Sequence, residues 1–199
     1  MTMTRLKFFV IETEDRRSGR IMDVLEAIKG RRSIRSFKSD KVSAQLVEIL
    51  VDAAQQAPSA GNVQPWEFII IREPKTKKEL VHAALDQTFI AEAPVIIVVC
   101  ANEKLAAKRY GTRGRTLYCV QDTAAAIQNI LLAAYSLGLG TCWIGAFDEE
   151  ETREILRIPQ DVRPVAIVPV GYPAESPYPR TRRPSSQLVH HERFNELKN

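Results

Sequence analysis

Val95-Ile96-Ile97-Val98-Val99-Cys100 is an unbroken apolar run, β-branched at every position but the last and introduced by Pro94. A strand of that composition has no face to offer water, so the run predicts a central place in a sheet. A second stretch sets the company that strand must keep. Tyr118 to Leu137 is nearly all apolar or small, with Ala124, Ala125, Ala126, Ile127, Ile130, Leu131, Leu132, Ala133 and Ala134 in close succession. That is the profile of a helix covered over most of its surface. One chain of 199 residues offers limited cover for it, so part of the helix is expected at a subunit interface, and the chain is expected to form a homodimer.

The remaining elements follow from caps and periodicity. Asp23 is a plausible N-cap for a helix carrying Val24, Leu25 and Ile28, with Gly30 closing it. Ser43 precedes Leu46, Ile49, Leu50 and Ala53 at helical spacing, and this helix is predicted to run to about Ala57, where Pro58 stops it. Trp66 to Arg72, with its Phe68-Ile69-Ile70-Ile71 core, reads as a strand buried on both faces. Lys75 to Leu85 reads as a surface helix, Ala101 to Leu117 as a loop, Thr141 to Phe147 as a strand or extended segment, and Glu149 to Leu156 as a short helix. Val165 to Val170 is the last strand, where Pro169 argues for an edge position or a strand end. Beyond Gly171 the prolines at 173, 177, 179 and 184 predict an extended arm. Strands separated by helices make an α+β or α/β domain with a mixed central sheet flanked by helices, the topology undecided. Residues 1–21, with a β-prone run from Phe8 to Ile11 and a polar stretch after it, read as an N-terminal extension to one domain over 22–199.

Composition removes several classes. Hydrophobic residues at 45% and charged residues at 26% are ordinary globular values and exclude a disordered chain or a rod. A net charge of +4 allows an anionic ligand but falls short of a dedicated nucleic-acid binder. Cys100, Cys119 and Cys142 are odd in number and widely spaced, which suggests neither a disulfide framework nor a zinc site and makes a reducing cytoplasm the default. The longest apolar stretches, Val95 to Ala101 and Ile127 to Ala134, are far shorter than the roughly 20 residues a membrane span needs. The apolar run Leu6 to Ile11 is followed by Glu12, Glu14 and Asp15 and does not read as a signal peptide.

Three segments offer ligand chemistry, and the arm adds a fourth. Arg31, Ser33 and Arg35 fall on one side of an extended backbone, next to Arg32, presenting guanidinium forks and a hydroxyl suited to a phosphate; a solvated basic turn is the alternative. Arg180, Arg182 and Arg183 repeat the pattern on the proline-stiffened arm, where a basic tail is the alternative. In Pro58-Ser59-Ala60-Gly61-Asn62-Val63-Gln64-Pro65-Trp66, Asn62 and Gln64 can both donate and accept, matching the edge of a planar heterocycle, although helix capping and a turn would explain the same residues. Gly138-Leu139-Gly140 and Ile144-Gly145-Ala146 bring main chain close to something flat, or pack a tight turn. The spacing is not GxGxxG after a strand, so a dinucleotide fold is not indicated.

Taken together and in this order, these four segments resemble the FMN-dependent nitroreductase family over about residues 22 to 194. The resemblance implies an α+β nitroreductase-like fold and an intertwined homodimer with two FMN sites at the subunit interface. It also implies ping-pong electron transfer from NADH or NADPH to a nitroaromatic, quinone or related small-molecule acceptor. Carried over by position, it places Arg31 at the flavin phosphate and Arg35 near the N1–O2 edge, with Arg32 and Ser33 in the same motif. Asn62 becomes a flavin contact, with Gln64 beside it and Pro58 and Ser59 reaching in from the partner chain. Gly145 and Ala146, following Ile144, become main-chain donors near N5 and O4, and Arg182, with Arg180 or Arg183, grips the phosphate. Several family members have Glu where this chain has Gly145. The flavin carries the redox chemistry, so no side-chain nucleophile, catalytic acid or base, or metal is expected.

Two other readings stand beside this one. The same fold serves other flavin reactions, dehalogenase-like or in cofactor pathways. A non-enzymatic anion- or nucleic-acid-binding module could also use the two arginine clusters.

Overall fold

In the computed structural model, which describes residues 22–194, the apolar run is strand β2 (Val95–Asn102), and every residue from Val95 to Ala101 is fully buried. It pairs antiparallel on one side with β1 (Trp66–Ile71) and on the other with β4 (Val162–Gly171), and a two-residue β3 (Gly140–Thr141) pairs with the end of β4. The order is β1-β2-β4-β3. These strands are antiparallel throughout. The mixed character expected of the sheet is confined to one parallel bridge, Ser33 with Thr141.

Alternation along β2 divides the interior in two. Val95, Ile97 and Val99 face α2 (Ala44–Gln55) and α6 (Cys119–Ser136), where Leu50, Ile127 and Ile130 pack against them. Ile96, Val98 and Cys100 face the opposite layer, where Leu80 of α3 (Pro74–Ala83) and Ile90 of the short α4 (Phe89–Glu92) meet Ile158 beyond α7 (Glu149–Leu156). Period-two burial on both faces is what a strand with no polar side requires. The first helix, α1 (Val24–Gly30), carries the capping box expected at Asp23, with Glu26 as the reciprocal partner. α2 begins at its Ser43 cap and ends at Gln55, two residues short of Ala57.

Two expectations are corrected and one is narrowed. β1 is not buried on both faces: it is the edge strand, and Ile70 remains 39% exposed because nothing among the described residues covers that side. Of the two places expected for Pro169, the structure takes the strand end and not the sheet edge: β4 ends two residues on, at Gly171, and lies between β2 and β3. Ile167, of the same parity, exchanges both main-chain hydrogen bonds with Ile144, so the imide nitrogen of Pro169 faces the gap between that bridge and the Thr141 pairing, where no donor is needed. Ala101 to Leu117 is not a loop. Asn102 caps α5 (Glu103–Arg113), which runs through a π-helical turn, Gly114–Tyr118, directly into α6. Its apolar pattern is too sparse to read, because only Ala106 is buried.

The β-prone run Phe8 to Ile11 and the extension 1–21 lie outside the described residues. Among the described residues, no helix is long and apolar enough to cross a membrane. All three cysteines are free and buried.

Candidate functional site

The first arginine segment leaves α1 in an extended conformation because Arg31 ends the helix with non-helical dihedrals. It then lies along β3, with the Ile34 N–H donating to the Thr141 carbonyl at 2.9 Å. Period-two alternation follows: Ile34 is turned into a small core with Phe37 and Ala93, while Ser33 and Arg35 line a cavity. Gly140 is required at this crossing, since a Cβ there would stand 2.8 Å from the Ile34 side chain.

The C-terminal arm arrives at the same place by pairing with the segment that follows. Lys38 donates its N–H to Tyr172, Ala174 donates to Ser36, and Phe37 bridges Pro173 antiparallel. Glu175 completes the attachment by accepting the main-chain N–H groups of Arg35 and Ser36. Proline then keeps the arm extended, and Arg180 and Arg182 come to face Arg31, Ser33 and Arg35 across a cavity of about 240 Å³, to which Tyr178 also contributes. Two segments separated by roughly 150 residues of sequence thus meet. Arg183 does not line the cavity; its guanidinium turns to Gln187. Arg32 does line it, but its Nη1 also donates to the carbonyls of Lys29 and Arg31 at the end of α1.

The cavity is strongly positive. Burial first, and then the charges of Arg182 and Arg32, hold the Arg31 guanidinium below its ordinary range. None of the salt bridges among the described residues includes Arg31, Arg35, Arg180 or Arg182. The Glu175 carboxylate, at the back of Arg35, is engaged by main-chain donors. Like charges gathered without a counter-charge favour an anion, and guanidinium forks suit phosphate oxygens. Cys142 is buried close to these residues: burial pushes its thiol up, while Arg35, a hydrogen bond from Ser33 and Arg31 oppose that shift.

Ile144 is buried and bridged to Ile167, whereas Gly145 and Ala146 after it are exposed. Their main-chain N–H groups have no acceptor among the described residues. A Cβ on Gly145 would meet nothing nearer than Trp143, 3.8 Å away, so the surface above this turn is open. Two residues that the sequence did not single out connect the turn to the arginines. Gln87 donates to the Ala146 carbonyl at 3.1 Å, and the Phe89 ring lies 6.0 Å from the Arg35 guanidinium carbon. Neither carries a motif, because each acts through its fold neighbours; the same holds for Glu175.

Pro58, Ser59, Asn62 and Gln64 stand elsewhere. Their loop enters β1 at Trp66, opposite Ala101, while Val95 at the other end of β2 pairs with Val170 beside β3. Six residues of strand, about 20 Å, separate the two ends. Within one chain the loop therefore does not join the arginines. It is nevertheless built with care. Gly61, Asn62 and Gln64 all have positive φ, the Gln64 N–H is held by the Ser59 hydroxyl at 3.0 Å, and Gln64 Nε2 donates to Asn62 Oδ1. Asp122 of α6 accepts the Ala60 N–H, and Arg109 of α5 donates to the Gly61 carbonyl at 2.7 Å. Left-handed backbone at two non-glycine positions costs on the order of 1 kcal/mol each and concentrates where function demands it.

Residues 28–90 and 81–172 match the model of the Nitroreductase family. A protein of Methanothermobacter thermautotrophicus is 41% identical over 160 residues, spanning 78% of this chain and 80% of that one. The Bacillus subtilis protein described as FMN reductase (NADPH) is 31% identical, over 87% of this chain and 75% of its own length. Among solved structures, the NADPH:FMN oxidoreductase of Vibrio harveyi complexed with NAD+ superposes with a TM-score of 0.81 at 25% identity, covering 88% of this chain and 79% of that one.

Proposed function

The chain belongs to the nitroreductase family, and on that premise we propose that it is an FMN-dependent oxidoreductase. It takes hydride from NADH or NADPH and passes electrons to small acceptors such as nitroaromatics or quinones. The observation that carries this reading is the convergence of Arg31 and Arg35 with Arg180 and Arg182 on one cavity. The donor set fits FMN: several guanidiniums with no salt-bridge partner among the described residues, suited to a phosphate dianion, and main-chain N–H groups at Gly145 and Ala146 with no acceptor among those residues, suited to a flat ring. The arginines line a concavity rather than an open face, which suits a small anion better than a nucleic acid.

When bound, FMN supplies the two-electron chemistry; the chain supplies position and charge. Arg31 and Arg182 hold the phosphate end. Arg35 would set a positive charge beside a ring that gains negative charge on reduction. Gly145 and Ala146 would offer it main-chain hydrogen-bond donors, and the absence of a side chain at 145 leaves open space there for donor and acceptor in turn, as a ping-pong scheme requires. No side-chain nucleophile takes part.

The loop from Pro58 to Gln64 completes the site from a second copy of the chain, because it lies too far from its own arginines. A homodimer also accounts for the uncovered edge of β1, with Phe68 and Ile70, and for the exposed Val24, Leu25 and Ile28 of α1. Free, buried thiols at Cys100, Cys119 and Cys142 support a reducing, cytoplasmic setting.

Purified protein should be yellow, release FMN on denaturation, and lose its flavin absorbance on anaerobic addition of NADH or NADPH. Colourless protein that takes up no added FMN would refute the proposal. Bleaching without turnover on nitroaromatics or quinones would move the chain to one of the family's other flavin reactions.

A further inference from the structure

The kinked end of α5 carries a feature the proposed reaction has not used. Arg109 lies over the Tyr110 ring, with 5.6 Å from guanidinium carbon to ring centroid, and Arg113 lies over Tyr118 at 5.3 Å. The two tyrosines meet edge to face at 5.3 Å, so cation and ring alternate in one continuous ladder. Each guanidinium is fixed by one donated hydrogen bond: Arg109 Nη1 to the Gly61 carbonyl, and Arg113 Nε to the Tyr118 hydroxyl at 2.9 Å. The other N–H groups of both have no acceptor among the described residues.

Neighbouring cations differ. Lys104 pairs with Asp161 and Arg115 lies 4.0 Å from Glu103, but Arg109 and Arg113 enter no salt bridge among the described residues. The backbone departs from regular helix to form this ladder. Gly111 sits inside α5 at φ 57° and ψ −143°, and residues Gly114–Tyr118 wind as a π-turn before α6 resumes. Such interruptions weaken a helix and persist chiefly where a site needs them.

The ladder is pressed onto the loop that carries Asn62. A Cβ at Gly61 would run into the Tyr110 hydroxyl and stand 2.8 Å from the Arg109 guanidinium carbon. Resting on the reading above, this places two preoriented, uncompensated guanidiniums at the rim of the cofactor cleft. Only the nicotinamide of the hydride donor reacts, so its adenosine end extends away from the flavin ring, and a rim bearing guanidiniums with unused donors is suited to hold it. We propose that Arg109 and Arg113, braced by Tyr110 and Tyr118, recognise the 2′-phosphate of NADPH and set a preference for NADPH over NADH. Guanidinium forks match a phosphate monoester, and the tyrosines hold them in place before the ligand arrives.

Two measurements decide it. On the unaltered, FMN-loaded protein, calorimetry should show 2′,5′-ADP binding about tenfold more tightly than 5′-ADP, a difference typical of one charge-assisted contact. In steady-state assays Arg109→Gln and Arg113→Gln should each lower the ratio of kcat/KM for NADPH to that for NADH by about tenfold. Equal binding of the two adenosine phosphates, or equal loss with both nucleotides, overturns the assignment. The calorimetric comparison needs no variant and stands even where a substitution prevents folding. Failure of the underlying reading looks different: the protein would then hold no flavin and oxidise neither nucleotide.

Discussion

Glu175 reaches back across 140 residues of sequence to accept the main-chain N–H of Arg35. With the second bond from Ser36 at 3.1 Å, this carboxylate ties the arm to the segment it must face. Glu175→Ala should leave the fold intact but weaken FMN binding by about five- to tenfold, since an exposed charge-assisted contact contributes on the order of 1 kcal/mol. Glu175→Gln, which keeps an acceptor oxygen, should lose less. Fluorescence titration with FMN reads both, and an unchanged affinity in Glu175→Ala would show that the arm is held without it.

Arg35→Ala and Arg182→Ala each remove a guanidinium from the cavity and should weaken FMN retention by about ten- to a hundredfold, corresponding to about 1.5–3 kcal/mol for a hydrogen bond to a charged group. Raising salt should weaken the unaltered protein more than Arg182→Ala. Equal flavin content after dialysis of both variants would place the phosphate elsewhere.

Gly61 and Gly138 both have positive φ, 53° and 75°, but only Gly61 is crowded, by Arg109 and Tyr110. Gly138→Ala should cost about 1 kcal/mol for the left-handed backbone alone. Gly61→Ala should cost more and also displace the Asn62 loop from α5. Thermal unfolding of the two variants side by side tests the difference, and equal midpoints would mean the loop yields freely.

Asp122 is 7% exposed, and its Oδ2 is buried without a hydrogen-bond partner among the described residues. Burial pushes its carboxyl above the ordinary 3.8, against the Ala60 N–H that favours the charged form. A folded-state value above the unfolded one means that the contribution to stability is complete below the unfolded value and lost as pH rises through the folded one. Asp122→Asn removes that loss and keeps an oxygen for Ala60, so its unfolding midpoint should exceed that of the unaltered protein at pH 7 and the gap should close toward pH 4. A gap that does not vary with pH would contradict this.

Glu149 shows the opposite sign. Its carboxylate takes two hydrogen bonds from Arg163, at 2.8 and 2.7 Å, which hold it below the ordinary 4.5. The stabilisation is present above the unfolded value and lost as pH falls through the folded one. Because both side chains are about two-fifths exposed, Glu149→Gln should cost no more than about 1 kcal/mol at pH 7. The cost should vanish in acid, as urea titrations at the two pH values would show.

Local chemistry made much of the chain legible. β2 had to be central because Val95 to Cys100 has no polar face, α6 had to be covered, and the Asp23 and Ser43 caps opened their helices as their side chains allow. α5 escaped notice because its outward face carries Lys104, Lys108, Arg109 and Arg113, leaving no stripe to read. Gln87 and Phe89 escaped because their roles depend on what the chain folds against them.

From its order of residues alone this chain determined that it would bury a two-faced strand, carry two basic segments and present an Asn-Gln loop, since composition and spacing act within a few residues. Only the tertiary structure decided that the basic segments share a cavity while the loop stands at the far end of β2. Pairing between distant segments, such as Glu175 with Arg35 and Thr141 with Ile34, depends on strand order and register, which no local preference encodes.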